Sequence, residues 1–154
     1  MAEFRGQLKA PGRIGIVVSG YHERVTGKLL EGAIECCHRA GAPADQVDVA
    51  WVAGAFELGS VAAAMARTNR YVALVALGAV VRGETPHFDY VAGETSRALG
   101  QVALTIPVGF GLLTVDTMAQ ALDRAGGVAG NKGYEAAEAA IRAADVIAQL
   151  AMKG

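Results

Sequence analysis

The most constraining feature of the sequence is a long apolar run, Tyr71–Val81, that stops abruptly at polar residues. The run is too continuous for a half-exposed strand, and its Val and Gly content disfavours a helix. We therefore predict that it forms the central strand of a parallel sheet. Ligands of open α/β sheets bind outside the carboxyl ends of the strands, so the segment Arg82–His87 is predicted to lie at a functional site.

Strand-like and helical segments alternate along the rest of the chain. The other predicted strands are Arg13–Ser19, Asp48–Val52 and Val102–Val108. The predicted helices are Glu23–Ala40, Gly54–Asn69, His87–Gly100, Thr114 to Gly126-Gly127, and Asn131–Lys153. Gly41 is a predicted C-cap, and Pro107 favours an edge position for the fourth strand because proline cannot donate to a ladder. This order predicts an α/β fold, a three-layer αβα sandwich with a four-stranded parallel sheet and right-handed crossovers.

The length of 154 residues predicts one domain over residues 1–154, large enough to bury a core without disulfides or a metal. Residues 1–12 hold Phe4 and Leu8 among polar neighbours and end at Pro11-Gly12. This composition indicates an extended arm before the core. Because such an arm needs a surface to pack on, we expect it to contact a neighbouring subunit.

Charge and hydrophobicity narrow the class of partner. With 14 basic and 15 acidic residues, the net charge of −1 gives no reason to expect binding to nucleic acid or to a membrane surface. The chain is 53% hydrophobic and 19% charged, which favours a homo-oligomer that covers apolar surface. The N-terminal residues have no apolar signal core, and no apolar run reaches the roughly 20 residues of a membrane helix. We expect a cytoplasmic protein with small-molecule substrates.

The two cysteines, Cys36 and Cys37, are adjacent on a helical pattern. No second pair gives them the spacing of metal ligands, so we predict buried thiols and no metal site.

Two residues are candidates for acid–base chemistry or hydroxyl binding. His87 begins a helix just after the central strand, and its ordinary pKa suits proton transfer near neutral pH. Glu57 lies in the first turn of a helix that follows another strand. Each has a structural alternative, since His87 could simply cap its helix and Glu57 could simply complement the helix dipole.

Aromatic and loop residues suggest what the site holds. Tyr21 and Phe56 follow neighbouring strands and could sandwich a flat heterocycle, although ordinary packing would also explain them. The loop Gly83–Thr85 precedes a helix N-terminus, which suits an anion. A phosphate there would need a cation, for which Arg124 and Lys132 are candidates, although each alone could be a solvated charge.

Five segments, in this order and spacing, resemble the 6,7-dimethyl-8-ribityllumazine synthase family of riboflavin biosynthesis, with a match from about Phe4 to the C-terminus. They are Gly54–Glu57, Gly78–Tyr90, Phe110–Thr114, Gln120–Gly126 and Gly130–Gly133. The resemblance implies a flavodoxin-like fold. It also implies condensation of 5-amino-6-(D-ribitylamino)uracil with 3,4-dihydroxy-2-butanone 4-phosphate, without cofactor or metal.

The resemblance also implies a role for each matching residue. His87 matches the proton donor, and Tyr21 matches the aromatic residue that stacks on the pyrimidine. Glu84 and Thr85 match the loop that holds the phosphate. In the family, the pyrimidine ring and the ribityl chain are bound by residues that match Ala55, Phe56, Glu57, Ala79, Val80 and Val81. Phe110, Arg124 and Lys132 match residues from the neighbouring subunit, with Arg124 on the phosphate.

The family forms pentamers, and some members assemble into 60-subunit icosahedral shells. The short link Gly127–Lys132 is similar to that of the shell-forming members, so we expect a shell, and riboflavin synthase is a candidate partner.

Two segments depart from the family pattern. Leu58-Gly59 stands where an aliphatic residue and proline are usual, and Gly93–Ser96 replaces a version with Cys or Ala.

Two other functions stay open at this point. A non-catalytic shell protein could bind flavin or lumazine in the same pocket, although it would need neither His87 nor the cations Arg124 and Lys132. A generic flavodoxin-like nucleotide-binding domain would need a hydroxyl-rich phosphate loop after the first strand, which this chain lacks.

Overall fold

The computed structural model describes residues 1–153 and contains a four-stranded parallel sheet. Its strands are β1 (Ile14–Ser19), β2 (Val47–Val52), β3 (Ala73–Val81) and β4 (Val108–Val115). They lie in the order β2-β1-β3-β4, and every neighbouring pair is parallel. The long apolar run therefore forms an interior strand, as predicted.

Helices cover both faces of the sheet, which confirms the predicted α/β three-layer, flavodoxin-like fold. They are α1 (Glu23–Arg39), α2 (Leu58–Arg67), α3 (His87–Val102), α4 (Met118–Asp123) and α5 (Lys132–Lys153). One apolar cluster joins the sheet to α1, α4 and α5, and the other joins it to α2 and α3. Short 3-10 turns lie at Ala44–Gln46 and Ala55–Glu57. A small antiparallel pair, β5 (Ala125–Gly127) and β6 (Gly130–Asn131), was not predicted from the sequence.

Burial along each strand follows from its place in the sheet. All of β1 is buried, as is nearly all of β3, because both of their faces lie under helices. The edge strand β2 instead leaves Val49 and Trp51 partly exposed. Continuous apolar sequence thus marks the interior strands.

Gly41 ends α1 and Asn131 begins α5, and these two helices pack on the same face of the sheet. Gly41 has φ +87° and ends α1, as the sequence predicted, because glycine adopts this left-handed conformation without steric cost. Asn131 begins α5, since its Oδ1 accepts hydrogen bonds from the N–H groups of Gly133 and Tyr134 at 2.9 and 3.0 Å. Its Nδ2 donates to the Lys28 carbonyl at 3.0 Å, which ties α5 to α1.

The prediction of a fourth strand over Val102–Val108 was wrong. Val102 is the last residue of α3, and the strand begins only at Val108. The helix is longer than predicted because Leu99 and Val102 are buried against the sheet. The strand does lie at an edge, but Pro107 precedes it, and its carbonyl accepts a hydrogen bond from Leu74 N–H at 2.8 Å.

The arm of residues 1–12 contacts α5 and the end of α1 of its own chain. Gln7 N–H donates to Asp145 at 2.9 Å, and Gln149 donates to the Arg5 carbonyl at 2.9 Å. Ala10 N–H donates to the Ala40 carbonyl, also at 2.9 Å. Contact with a neighbouring subunit stays a prediction, as does the single domain over 1–154, whose last residue lies outside the described range.

None of the helices within residues 1–153 combines the length and apolar character that crossing a membrane requires.

Candidate active site

A cavity of about 880 Å³ lies where the segments after β1, β2 and β3 come together. These strands are neighbours in the sheet, so their carboxyl ends meet at one edge. The cavity is lined by Tyr21, His22, Gly54, Ala55, Phe56, Glu57, Ala79, Val80, Val81, Gly83, Thr85, His87, Phe88, Tyr90, Val91 and Glu94. We call it the first cavity.

Most residues predicted for the site line the first cavity. They come from the end of β3, from the loop before α3, and from the segments after β1 and β2; they are Tyr21, Ala55, Phe56, Glu57, Ala79, Val80, Val81, Thr85 and His87. Glu84 is exposed and does not line it, whereas its neighbours Gly83 and Thr85 do. The fold thus brings together residues that lie far apart in the sequence.

The aromatic rings at the mouth of the first cavity are unusually open to solvent. Tyr21 is 67% exposed and Phe56 is 61% exposed. Neither ring is held in the core, so ordinary packing within this chain does not explain them. Exposed faces of this kind can stack on a flat heterocycle.

The 3-10 turn Ala55–Glu57 is held from two sides. The Glu57 Oε1 atom accepts a hydrogen bond from Gly54 N–H at 2.9 Å, which closes the turn on itself. From α3, the Thr95 hydroxyl donates to the Ala55 carbonyl at 3.3 Å. The turn is therefore preorganised before any ligand arrives.

His87 is the first residue of α3, where the sequence placed it. Its backbone N–H donates to the Thr85 Oγ1 atom at 3.4 Å, so the histidine and the threonine form one local unit. Within the described chain the imidazole ring has no hydrogen-bond partner, and His87 is exposed. Its ring is available for proton exchange with a ligand.

Arg82 does not line the first cavity and instead makes contacts within the fold. Its Nε atom donates to Asp116 at 3.0 Å, and its guanidinium lies 4.3 Å from the centre of the Phe88 ring. A longer contact of 3.6 Å joins it to Asp89. These contacts tie the ends of β3 and β4 to the start of α3.

Phe110, Arg124 and Lys132 line a second cavity of about 400 Å³. Phe110 lies on β4 and is 52% exposed. Arg124 donates to the Gln120 carbonyl at 3.1 Å, and Lys132 pairs with Glu135 at 3.1 Å. The structure does not bring these three residues to the first cavity of the same chain.

The charges are divided between the two cavities. The first contains the carboxylates of Glu57 and Glu94, and no Lys or Arg of residues 1–153 lines it. The second contains the cations Arg124 and Lys132 together with the Glu135 carboxylate, which pairs with Lys132 and leaves Arg124 as the cation without a carboxylate partner among its lining residues. A phosphate-bearing ligand in the first cavity would therefore have no Lys or Arg partner among the lining residues from the described part of its own chain.

His22 and Glu94 are among the residues of the first cavity that were missed from the sequence. Glu94 lies on α3 seven residues after His87, with Val91 between them, a spacing that puts all three on one helix face. His22 has φ 60°, a left-handed conformation that His tolerates better than most residues, and its ring lies 4.4 Å from that of Tyr21. The helical spacing could have identified Glu94, whereas nothing in the sequence signals the backbone of His22.

The cysteines lie away from both cavities. Cys36 and Cys37 are free thiols on α1 whose side chains are completely buried in the core. Burial raises the pKa of the Cys36 thiol to about 12 and that of Cys37 to about 11. Over residues 1–153, no group of three or more His, Cys, Asp or Glu side chains could hold a metal ion.

Comparison with known proteins identifies a family. The family model described as 6,7-dimethyl-8-ribityllumazine synthase matches residues 11–148. Two curated proteins of that name, from two strains of Clostridium kluyveri, are each 47% identical to this chain over 153 residues. The alignment covers 97% of this chain and 99% of each relative.

Proposed function

Because the chain belongs to the 6,7-dimethyl-8-ribityllumazine synthase family, transferases of riboflavin biosynthesis, we propose that the first cavity is its active site. There 5-amino-6-(D-ribitylamino)uracil condenses with 3,4-dihydroxy-2-butanone 4-phosphate to give 6,7-dimethyl-8-ribityllumazine, phosphate and water. The observation that carries this proposal is the convergence of Tyr21, the turn Ala55–Glu57, the strand end Ala79–Val81 and His87 on one cavity.

The pyrimidine substrate is held by the walls of the cavity. Tyr21 stacks on the flat ring, which its exposed face allows. Phe56, Glu57 and the residues Ala79–Val81 hold the ring and the ribityl chain, with the free Glu57 oxygen accepting from substrate hydroxyls. The prior closure of the turn lowers the ordering cost of binding.

His87 transfers protons during the reaction. Condensing an amine with a ketone, eliminating phosphate and closing a ring each move protons between nitrogen, oxygen and carbon atoms. A histidine with an unpaired ring can give and take protons near neutral pH, and it needs no covalent bond to the substrate.

The phosphate site is completed by a second subunit. The Glu84 and Thr85 loop holds the phosphate through backbone N–H groups and the Thr85 hydroxyl, and Arg124 from the neighbouring copy neutralises its charge. Phe110 and Lys132 of that copy close the ring and ribityl site. The division of charge between the two cavities of one chain supports this arrangement.

Assembly follows from this division of the site. We propose a cytoplasmic homo-oligomer built from pentamers and extended to a 60-subunit shell, for which the short link Gly127–Lys132 is the support. Partly exposed Val49 and Trp51 on the edge strand β2 offer apolar surface to a neighbour. Residues 1–3 of the arm are exposed and could contact another copy. We also propose riboflavin synthase as a partner of the assembly.

The test is an assay that mixes the purified protein with both substrates and follows the absorbance and fluorescence of the lumazine. Replacing His87 by alanine should lower kcat by about 100-fold or more while light scattering shows unchanged particle mass. His38→Ala is the matched control, because His38 is exposed on α1 and does not line the first cavity.

Other outcomes would change the proposal. Equal rates for His87→Ala and the parent would remove His87 from proton transfer. Tight binding of lumazine or riboflavin without any turnover by the parent would instead identify the non-catalytic binding protein.

A further inference from the structure

The Thr95 hydroxyl makes an unusual contact for a threonine inside a helix. Threonine and serine on helices commonly donate to a carbonyl one turn earlier, as the neighbouring Ser96 does to Ala92 at 2.7 Å. Thr95 instead donates across the fold to the Ala55 carbonyl at 3.3 Å. Thr95 is 1% exposed, so its hydroxyl has no alternative partner in bulk water.

This hydrogen bond joins two walls of the first cavity. One wall is α3, which carries His87 at its start and Glu94 two turns later. The other is the turn Ala55–Glu57, which carries Phe56 and Glu57. The distance between the proton-transfer ring and the pyrimidine-binding turn therefore depends on where α3 meets the turn.

A second contact independently fixes the spacing of these walls. Gly59 is buried near the start of α2, and a Cβ atom added there would lie 2.6 Å from the Ala98 Cβ atom on α3. No side chain fits between the helices at this point. The close approach holds α2, and with it the preceding turn, within reach of the Thr95 hydroxyl.

We propose that Thr95 is a positioning residue, which fixes the turn Ala55–Glu57 against α3 so that the bound pyrimidine substrate meets His87 in reactive alignment. The inference rests on the proposed function of the first cavity. Small displacements of reacting groups are costly in rate, because only near-attack geometries react. The hydroxyl is thus expected to affect turnover more than substrate affinity.

The direct test compares steady-state kinetics of Thr95→Val, which removes the hydroxyl at nearly constant shape, with those of Thr95→Ser, which keeps it. We expect Thr95→Val to lower kcat about tenfold, with less than about a threefold change in KM for either substrate. Thr95→Ser should recover most of the parent kcat. The control is Ser96→Ala, which removes a hydroxyl one residue further along α3 and should leave kcat unchanged.

A second variant covers the case in which Thr95→Val does not fold. Gly59→Ala leaves the hydroxyl in place but forces α2 away from Ala98, so it should show the same loss of kcat. Parent-like kinetics in a folded Thr95→Val or Gly59→Ala would overturn the inference. Equal impairment of Thr95→Val and Thr95→Ser would also overturn it, because the loss would then come from packing.

Amide hydrogen exchange separates this inference from the proposed function, because it needs no turnover. The N–H of Leu58 donates to the same Ala55 carbonyl that Thr95 bonds. We expect its exchange in Thr95→Val to be about tenfold faster than in the parent and unchanged in Thr95→Ser. Unchanged exchange in Thr95→Val would overturn the positioning role, whereas an inactive parent with this exchange pattern would overturn only the assigned reaction.

Discussion

At the scale of single residues, only one of the two carboxylate oxygens of Glu57 accepts a hydrogen bond within the described chain. Oε1 accepts from Gly54 N–H at 2.9 Å and so completes the start of its helix. This local role is the structural alternative that the sequence suggested, yet Glu57 also lines the first cavity. The cap fixes the orientation of the carboxylate, so the structural role is compatible with the ligand binding proposed for Glu57.

The cysteines give a prediction at the same scale. Burial raises the pKa of Cys36 and Cys37, and the neighbouring thiol adds to the effect on Cys36. Because the thiolate is the reactive form, a water-soluble thiol reagent near neutral pH should modify neither cysteine in the folded protein and both in denaturant. Absorbance of the released chromophore measures the reaction. Rapid labelling of the native protein would contradict the burial of these thiols.

At the scale of elements, the interior strands were predictable and β4 was not. Glycine disfavours strands, and β4 contains Gly109 and Gly111. A Cβ atom at Gly109 would meet the Ala136 carbonyl of α5, and one at Gly111 would lie 2.5 Å from a methyl group of Leu77. The glycines allow close packing that depends on partners distant in the sequence, so local propensity could not reveal the strand.

The site was predictable where it depends on strand ends and short motifs. Residues after β1, β2 and β3 meet because parallel strands end at one edge, and the order of elements was readable from the apolar pattern. The placement of His22 at the cavity depends on a backbone angle, and the hydrogen bond of Thr95 joins residues 40 positions apart. Neither is encoded by local pattern.

A polar cluster at the opposite end of the sheet supports a prediction about stability. Asp48 accepts from the Tyr71 hydroxyl at 2.7 Å and from Arg13 at 2.9 Å, and Arg70 lies 3.5 Å away. The Tyr71 hydrogen bond, followed by the two arginines, lowers the pKa of Asp48. The cluster links the starts of β1, β2 and β3, far from the carboxyl ends that form the first cavity.

Replacing Asp48 by asparagine should therefore destabilise the protein at neutral pH without changing kcat. The loss should be about 1 kcal/mol, since the carboxylate is partly solvated. A lowered folded pKa stabilises the fold above the unfolded value of about 3.9 and loses this effect as pH falls through the folded pKa. Chemical denaturation across this pH range should show the parent and variant converging in acid, whereas a constant difference would contradict the charge-based explanation.

At the scale of the whole molecule, the two ends of the sheet carry different groups of residues. The amino ends of the strands carry the Asp48 cluster, whereas the carboxyl ends open into the first cavity. Arg124 and Lys132, the cations proposed to contact the phosphate substrate, lie in the second cavity, on the surface formed by β4, Arg124 and the start of α5. Under the proposed function, one chain thus presents two halves of a site that a neighbouring copy completes.

The central claim is that a neighbouring copy completes the site, and subunit mixing tests it most directly. His87→Ala and Arg124→Ala should each lose most activity when pure. After unfolding and joint refolding of equal amounts, random pairing should give about one quarter of the interfaces an intact His87 facing an intact Arg124. The account predicts lumazine formation at about one quarter of the parent rate. A mixture no more active than its separate components would contradict a shared site.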